Sequence, residues 1–526
     1  MRANRLFSFA VLVMLIMALT ACTDSDDNPV SPSSEDLPGD ESVLHFFKQI
    51  NAVPRPSQHE EAMVAYLEAF AKERGLDYMI DGKNVIIYKD ATSGMEQAPT
   101  VILQGHTDMV CVAADGYDID FMKQGIESES DGTYIHSKNH LTSLGADDGI
   151  GVAIILAILD SREAVHGPLE CVFTWDEELD FSGVYSLPSG ILKGRYLFNI
   201  DWETGGEMCI GTAGGVSVDA SLEYTTTATP ADHVACQLAV SGITGGHSGV
   251  NINNGGANAI KLLADFLATQ TEGLNLVDIS GGSFSNVIAS SAKGIVLLPM
   301  SRKDEFTNQW NSFMVDARQH YAVTDPDMTY TIQTADMPDK CIVEADTRAM
   351  IMGLSRAPQG VIEWSTTIDN MFETSNNVGA VKLKDGEFIA EYLVRGFVNE
   401  KVNSLANEVI AAYDCENTGF TAIPFAPYSS WNPDINSPLM NYAQHTYQQY
   451  FGNPITLRKV GGGLELSVFA EAYPDMQCIS YGPTILDAHT INERVEITTI
   501  NDCWRYTLCL LKDIILTDNE INNYSL

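Results

Sequence analysis

Basic residues are scarce in this chain of 526 residues, which has 30 Lys and Arg against 70 Asp and Glu and a formal net charge of −40. No tract of Lys and Arg offsets this acidity. Because phosphate binding requires clustered Lys and Arg, the composition argues against nucleic acid as a partner.

Closely spaced cysteines are also missing. The ten cysteines include no Cys-x-x-Cys pair, so neither a zinc finger nor a redox motif is indicated, and most are expected to be buried thiols. The hydrophobic content of 45% is that of a globular protein. The length exceeds what one core usually holds, which predicts two or three domains.

The N-terminus differs from the rest of the chain. A short basic start, residues 1–5, precedes an apolar run at 6–19 that is too short to span a bilayer comfortably, a pattern typical of a secretory signal. The run ends in Leu19-Thr20-Ala21-Cys22, which resembles a bacterial lipobox with Cys22 as the lipidated residue. An ordinary signal cleaved after Ala21 is the alternative. We expect an exported protein, lipid-anchored to a bacterial membrane in the periplasm or at the cell surface.

Strand and helix signals alternate from about residue 43, which predicts an α/β fold with a mostly parallel sheet covered by helices. A second pattern, of alternating polar and apolar residues followed by a glycine-rich turn, indicates an inserted α+β unit. The predicted segments are a signal peptide at 1–22, an acidic tether at 23–42, a catalytic domain at 43–214 and 431–526, and a lid and dimerisation domain at 215–430.

Histidine and carboxylate side chains follow several short apolar runs that are typical of buried strands. Residues 101–103 lead to His106, Leu169 to Trp175 lead to the adjacent Glu177 and Glu178, and residues 196–200 lead to Asp201. Sites in open α/β sheets form at the carboxyl ends of the strands, so these side chains are expected to converge on one pocket.

The residue types in this pocket are those that bind zinc. A pair of metal ions needs a bridging ligand, and a carboxylate is suited to that role; His106 and Asp147 fit terminal and bridging positions. In His106-Thr107-Asp108 the two outer side chains point the same way, so Asp108 can orient the imidazole of His106. Of the adjacent Glu177 and Glu178, one is expected to bind metal and the other to move protons.

The motifs, in this order, closely resemble those of the aminoacyl-histidine dipeptidases, a family of di-zinc metallopeptidases related to carnosinase. The resemblance spans about residues 43–515. Its motifs are Gly105-His106-Thr107-Asp108-Met109-Val110, Leu144-Gly145-Ala146-Asp147-Asp148-Gly149-Ile150-Gly151, Asp176-Glu177-Glu178, Asn199-Ile200-Asp201, Gly245-Gly246-His247-Ser248-Gly249, Gly463-Leu464-Glu465, and Gly482-Pro483-Thr484-Ile485 leading to His489.

The resemblance implies a set of metal ligands. His106 and Asp201 would bind one zinc ion. Glu178 and His489 would bind the second, and Asp147 would bridge the two. Cobalt and manganese are other divalent ions that such ligands accept.

The resemblance also implies catalytic and substrate-binding roles. Glu177 would be the general base that takes a proton from water and returns it to the leaving amine. His247, from the lid or from a partner subunit, would stabilise the oxyanion. Arg395 would hold the substrate's C-terminal carboxylate, because guanidinium suits bidentate recognition, and Asn286 would contact the substrate. A homodimer formed through the inserted domain is also implied.

This chain departs from the family pattern on the substrate side. Leu179-Asp180-Phe181-Ser182-Gly183 replaces a short glycine-containing turn after the paired glutamates. Residues 286–291 lack the proline and the two charges that relatives carry, and Gly461 replaces a histidine. These changes bear on specificity more than on metal binding.

The sequence therefore predicts an exported metallo-dipeptidase that hydrolyses Xaa-His dipeptides such as β-alanyl-His. A related di-zinc N-acyl-amino-acid deacylase or carboxypeptidase is the enzymatic alternative. An inactive peptide-binding surface lipoprotein is the alternative outside enzymes.

Overall fold

The computed structural model describes residues 41–414, 419–433 and 435–514. The predicted signal peptide, the lipidation at Cys22 and most of the predicted tether lie outside the described residues. Within them, no helix is long and apolar enough to cross a membrane. All eight described cysteines are free thiols, and only Cys111 among them is partly exposed.

The helices of the described segments include one that is buried along nearly its whole length. In chain order they are α1 Glu41–Asn51, α2 Glu61–Arg74, α3 Ala146–Asp160, α4 Glu177–Asp180, α5 Ser182–Ser186, α6 Ala259–Ala268, α7 Lys303–His320, α8 Glu344–Arg356, α9 Asn399–Asp414, α10 Pro438–Phe451, α11 Leu466–Ala472 and α12 Ile497–Asp513. Helix α3 is apolar on all sides after its first turn, which is why it is covered everywhere except at Asp160.

The strands form two large sheets and three small ones. In chain order they are β1 Tyr78–Asp81, β2 Asn84–Lys89, β3 Val101–His106, β4 Ser128–Ser130, β5 Tyr134–Ser137, β6 Leu169–Thr174, β7 Tyr196–Asn199, β8 Glu207–Thr212, β9 Gly214–Glu223, β10 Thr226–Ala228, β11 His233–Ser241, β12 Gly246–His247, β13 Asn275–Gly282, β14 Val287–Ile288, β15 Ala292–Pro299, β16 Thr329–Thr334, β17 Lys340–Ile342, β18 Gly360–Trp364, β19 Phe372–Lys384, β20 Glu387–Gly396, β21 Thr421–Tyr428, β22 Thr456–Val460, β23 Gln477–Ser480, β24 Ile485–Leu486 and β25 Arg494–Glu496.

The first large sheet has eight strands in the order β1-β2-β6-β3-β7-β23-β8-β22. Its centre is parallel, because β3 pairs in parallel with both β6 and β7, and β7 pairs in parallel with β23. Every residue of β3 and β6 is buried, as expected for strands covered on both faces. The mostly parallel α/β sheet predicted from the sequence is confirmed.

The second large sheet is antiparallel and has nine strands. Eight follow the order β16-β11-β15-β13-β19-β20-β9-β21, and β18 pairs with β19. Its apolar face packs on α6, α8 and α9 in a core of its own. After β21 the chain returns to the first sheet, where β23 lies between β7 and β8, so the second sheet is an insertion in the first.

The exact domain limits and the homodimer stay predictions. Both large sheets belong to one compact unit. Trp364, Ile423 and Phe425, on strands β18 and β21 of the second sheet, are large apolar side chains that are 51%, 55% and 43% exposed.

Candidate active site

The polar residues at the strand ends of the first sheet converge on one cavity. His106 is the last residue of β3, Glu177 and Glu178 open the short helix after β6, and Asp201 follows β7. Asp147 lies in the first turn of α3, where its backbone is not helical. All of them except His106 line a cavity of about 340 Å³ that also receives His489.

The carboxylate of Asp147 lies between the two histidines of the cavity. One of its oxygens is 3.0 Å from Nε2 of His106, and the other is 3.1 Å from Nε2 of His489. Nε2 of His489 is also 2.9 Å from Glu178, and Nε2 of His106 is 3.6 Å from Asp201. One carboxylate thus faces two separate groups of donor atoms.

The electrostatics of this cluster fit a binding site for cations. Burial and the charge of Asp147 raise the pKa of Glu178 to about 7, and burial raises the pKa of Asp201. Burial opposes protonation of His106, but the charge of Asp201 and contacts with neighbouring carboxylates outweigh it and raise the His106 pKa well above its usual value. The cluster holds more carboxylates than positively charged groups. Divalent ions would supply the balancing positive charge.

Asp108 has more partners than the sequence predicts. Its Oδ1 is 3.2 Å from Nδ1 of His106 and accepts the backbone N–H of Glu177 at 3.0 Å. Its Oδ2 accepts the hydroxyl of Ser57 at 2.8 Å and the backbone N–H of Glu178 at 3.3 Å. Asp108 therefore orients the imidazole ring and also holds the segment that carries both glutamates.

Glu177 and Glu178 occupy different surroundings although they are adjacent. Glu178 contacts His489, whereas the carboxylate of Glu177 lies 4.0 Å from Nε2 of His106. Burial, together with the charges of Asp201 and Glu178, raises the pKa of Glu177 well above its usual value. A raised pKa suits a group that must both accept and release a proton.

Glu493 supports the bridging residue, and the sequence analysis missed it. Its carboxylate accepts the backbone N–H groups of Leu144, Gly145 and Ala146 at 2.7, 2.9 and 2.7 Å. It thereby fixes the turn that delivers Asp147. A single glutamate in a loop gives no sequence signal for such a role, because its partners lie more than 340 positions earlier in the chain.

Glu465 is a second missed residue, although its motif was recognised. It is fully buried, and one oxygen accepts hydrogen bonds from Gln104 at 2.7 Å and Thr174 at 2.6 Å. Its other oxygen has no hydrogen-bond partner. Burial raises its pKa to about 8. Glu465 thus ties the central strands β3 and β6 together.

Glu203 is a third missed residue, and it lines the cavity itself. It follows Asp201 by two positions. Side chains two positions apart on an extended segment point the same way, as inferred for His106 and Asp108, and the same reasoning predicts that Glu203 faces the cavity. Its carboxyl group contacts Asp147, and burial with the charge of Asp147 raises its pKa to about 9.

His247 and Arg395 lie together beside the cavity rather than in its lining. Nη2 of Arg395 is 3.5 Å from Nε2 of His247, and Nη1 donates to the Tyr428 hydroxyl at 2.5 Å and to the Gly461 carbonyl at 2.9 Å. Burial and the charge of Arg395 lower the pKa of His247. Gly461 adjoins Val460, which lines the cavity.

Asn286 is brought near His247 by the pairing of β12 with β14, in which His247 lies opposite Val287. Its side chain is exposed, and its backbone carbonyl accepts the N–H of Ser248 at 2.8 Å. Its role as a substrate contact stays a prediction.

The backbones of Gly461 and Gly249 touch, which joins the His247 loop to the rim of the cavity. A Cβ at Gly461 would lie 1.8 Å from the Gly249 carbonyl oxygen, whereas one at Gly462 would meet nothing closer than 3.9 Å. Only a residue without a side chain allows this approach at position 461.

Gly461→Ala should therefore weaken activity. The added methyl group separates the two loops and moves Arg395 and His247, and a displacement near 1 Å can cost about 100-fold in rate. We expect kcat/KM to fall by roughly 10- to 100-fold, as measured by steady-state hydrolysis of a dipeptide. Gly462→Ala is the matched control, and equal behaviour of the two variants would contradict the proposed contact.

Histidine and carboxylate donors gathered at the strand ends of a parallel sheet define a metal-dependent hydrolase. The profile of peptidase family M20/M25/M40 matches residues 102–513, so the chain belongs to this family and is a metallopeptidase. The resemblance noted from the sequence motifs is thereby confirmed.

Two similar proteins are matched over most of their length. The cytosol non-specific dipeptidase of Escherichia coli (strain K12) is 33% identical over 474 residues, which are 89% of this chain and 96% of that protein. The crystal structure of aminoacylhistidine dipeptidase from Vibrio alginolyticus superposes with a TM-score of 0.84 at 34% identity, covering 90% of this chain and 96% of that one.

A more distant structure agrees in fold alone. Aminopeptidase PepT from Bacillus cereus has a TM-score of 0.53 and 15% identity, and the match covers 90% of this chain and 98% of that one.

The predicted location at a bacterial membrane is wrong, because the Escherichia coli relative matched over 89% of this chain is a cytosol enzyme by name. The prediction depended on a short apolar run and four lipobox-like residues. Such a run reports local hydropathy, which is weaker evidence than a match over nearly the whole chain.

Proposed function

We propose that this metallopeptidase is a dipeptidase that cleaves unblocked dipeptides, with Xaa-His compounds such as β-alanyl-His as its first substrate class. The observation that carries the proposal is the Asp147 carboxylate, whose two oxygens face His106 and His489 at 3.0 and 3.1 Å. The names of the two similar proteins support dipeptides as substrates. A cavity of about 340 Å³ is at the small end of ligand sites, which favours a short peptide.

The proposed centre would hold two zinc ions. His106 and Asp201 are assigned to one ion. Glu178 and His489 are assigned to the other, and Asp147 is shared. The donor set of imidazole nitrogens and carboxylate oxygens suits zinc, and it also accepts cobalt or manganese.

When bound, the metal pair supplies Lewis acidity, which polarises the peptide carbonyl and makes a water molecule more acidic. Glu177 accepts the proton of the attacking water and later delivers it to the leaving amine, since its raised pKa allows both steps. Asp108 keeps Glu177 in place through the backbone N–H bond of 3.0 Å.

Two residues of the inserted unit complete the proposed substrate site. His247 donates a hydrogen bond to the carbonyl oxygen as negative charge develops on it. Its lowered pKa keeps the ring neutral near pH 7, so one ring nitrogen carries the proton that is donated. Arg395 is buried and holds the C-terminal carboxylate of the substrate.

A substrate panel tests this proposal. Zinc-loaded protein should hydrolyse free dipeptides, including β-alanyl-His, and should be at least about 10-fold slower on tripeptides and on N-acetylated dipeptides, because a cavity of about 340 Å³ favours a short ligand. Product formation measured by amine release ranks the substrates. Preference for acylated amino acids would indicate a deacylase, and preference for longer peptides would indicate a carboxypeptidase.

A further inference from the structure

A buried arginine lies between two of the segments that carry proposed metal ligands. Arg55 follows α1 and is 1% exposed. Its backbone carbonyl accepts the N–H of Met109 at 3.0 Å, which places it beside the segment that follows β3. Burying a guanidinium is costly unless its donors find partners, and the proposed function gives this residue no role.

The guanidinium of Arg55 connects the end of β3 with the start of α3. Nη1 donates to the backbone carbonyls of Asp108 at 2.9 Å and Thr107 at 3.3 Å. Nη2 donates to the backbone carbonyl of Gly145. Asp108 comes two positions after His106, and Gly145 comes two positions before Asp147. One rigid planar group therefore joins the segments that deliver these two ligands.

Two glycines make room for the guanidinium. A Cβ at Gly145 would lie 2.4 Å from Nη2 of Arg55, and a Cβ at Gly149 would lie 2.7 Å from the same atom. Gly145 also has a φ of +70°, a conformation that other residues rarely adopt. Both glycines belong to the motif that carries Asp147, so the close approach of Arg55 accounts for two residues of that motif.

The turn before Asp147 is held through both its C=O and its N–H groups. Glu493 accepts the N–H groups of Gly145 and Ala146 at 2.9 and 2.7 Å, and Arg55 binds the carbonyl of Gly145. The bonds to Glu493 fix the turn against a loop near the C-terminus. Arg55 adds a connection to the strand that ends in His106.

We propose that Arg55 is a positioning residue that sets the spacing of His106 and Asp147 and thereby the zinc affinity of the centre. The inference rests on the proposed metal centre and not on a particular substrate. Ligands hold a metal ion only within a narrow range of distances, so a shift of either segment weakens binding. A lysine cannot replace Arg55, because its single nitrogen does not form the planar fork that reaches both carbonyls.

The test compares zinc binding by Arg55→Lys and by wild type, measured by competition with a chelator. Loss of a residue that orients metal ligands typically costs about 10- to 100-fold in affinity, so the zinc dissociation constant should rise by that factor. The visible absorption spectrum of the cobalt-loaded protein should also change, because it reports the geometry around the ion. Arg74→Lys is the matched control, since Arg74 pairs with Asp160 at 2.7 Å at the far end of α3, and it should bind zinc like wild type.

Gly149→Ala provides a second variant, which keeps Arg55 in the chain. Its methyl group would displace Nη2, so zinc affinity should fall by about 10-fold, the lower end of the same range. Alanine is favourable inside a helix, so this variant is expected to fold. It decides the outcome if Arg55→Lys does not fold.

Zinc affinity and a cobalt spectrum equal to those of wild type in the folded variants would overturn the proposal. A lower Tm of the metal-free protein with unchanged zinc affinity would also overturn it, since a purely structural role predicts that result. Failure of the proposed function looks different. Weak zinc binding by wild type would contradict the metal centre itself, whereas equally tight binding by wild type and Arg55→Lys would contradict the role of Arg55 alone.

Discussion

Glu177→Gln is expected to lower kcat by about 100- to 10,000-fold, the range that a positioned acid-base group contributes, while metal content stays unchanged. The amide keeps the size of the side chain but cannot accept the proton of water. The Glu177 carboxylate lies 4.0 Å from Nε2 of His106, whereas the Glu178 carboxylate lies 2.9 Å from Nε2 of His489, so the two glutamates occupy different positions. Steady-state hydrolysis of a free dipeptide, with metal analysis of the same samples, measures the effect.

A second acidic residue of the same short helix provides the control for this variant. Asp180 is exposed, and its carboxylate accepts the backbone N–H of Ser182 at 2.9 Å. Asp180→Asn removes the same charge from the same element and should retain activity within about twofold, as surface substitutions usually do. If Glu177→Gln retained activity within tenfold at full metal content, Glu177 would not be the proton carrier.

The residues at strand ends could be predicted because their signal is local. An apolar run followed by His106 or Asp201 is visible within a few residues, and the parallel sheet then brings such ends together. Burial on both faces leaves a continuous apolar pattern that a sequence shows directly.

The supporting residues could not be predicted because their partners are distant along the chain. Glu493 reaches the turn before Asp147 across 347 positions, and Glu465 reaches Gln104 across 361 positions. Single glutamates in loops are usually solvated, so neither position stands out in composition or periodicity. The contact of Gly461 with Gly249 is equally remote, since it joins the two sheets.

The predicted location is wrong for a related reason. The prediction of export depends on the first residues of the chain alone, and their hydropathy is compatible with more than one location. The metal-binding motifs are spread from His106 to His489, and a match over that whole span carries more information than one short run.

Asp147→Asn should remove the metal centre and with it the activity. One amide oxygen remains, but the amide nitrogen is a hydrogen-bond donor and cannot bind a cation. The side chain can therefore no longer offer one oxygen on the side of His106 and another on the side of His489. The loss of affinity should exceed the roughly 10- to 100-fold that removal of an outer hydrogen-bond partner costs, because both proposed ions lose a ligand. Metal analysis after dialysis should find fewer than two zinc ions per chain.

Thermal unfolding gives a readout of the same change that does not depend on catalysis. A ligand that binds only the folded state stabilises it, by about 2.7 kcal/mol at one hundred times its dissociation constant. Zinc should therefore raise the Tm of the metal-free wild type and should raise that of Asp147→Asn much less. Asp160→Asn, at the other end of α3 and paired with Arg74 at 2.7 Å, should respond to zinc like wild type. A full response of Asp147→Asn, with two ions retained, would show that the two histidines do not depend on this carboxylate to hold metal.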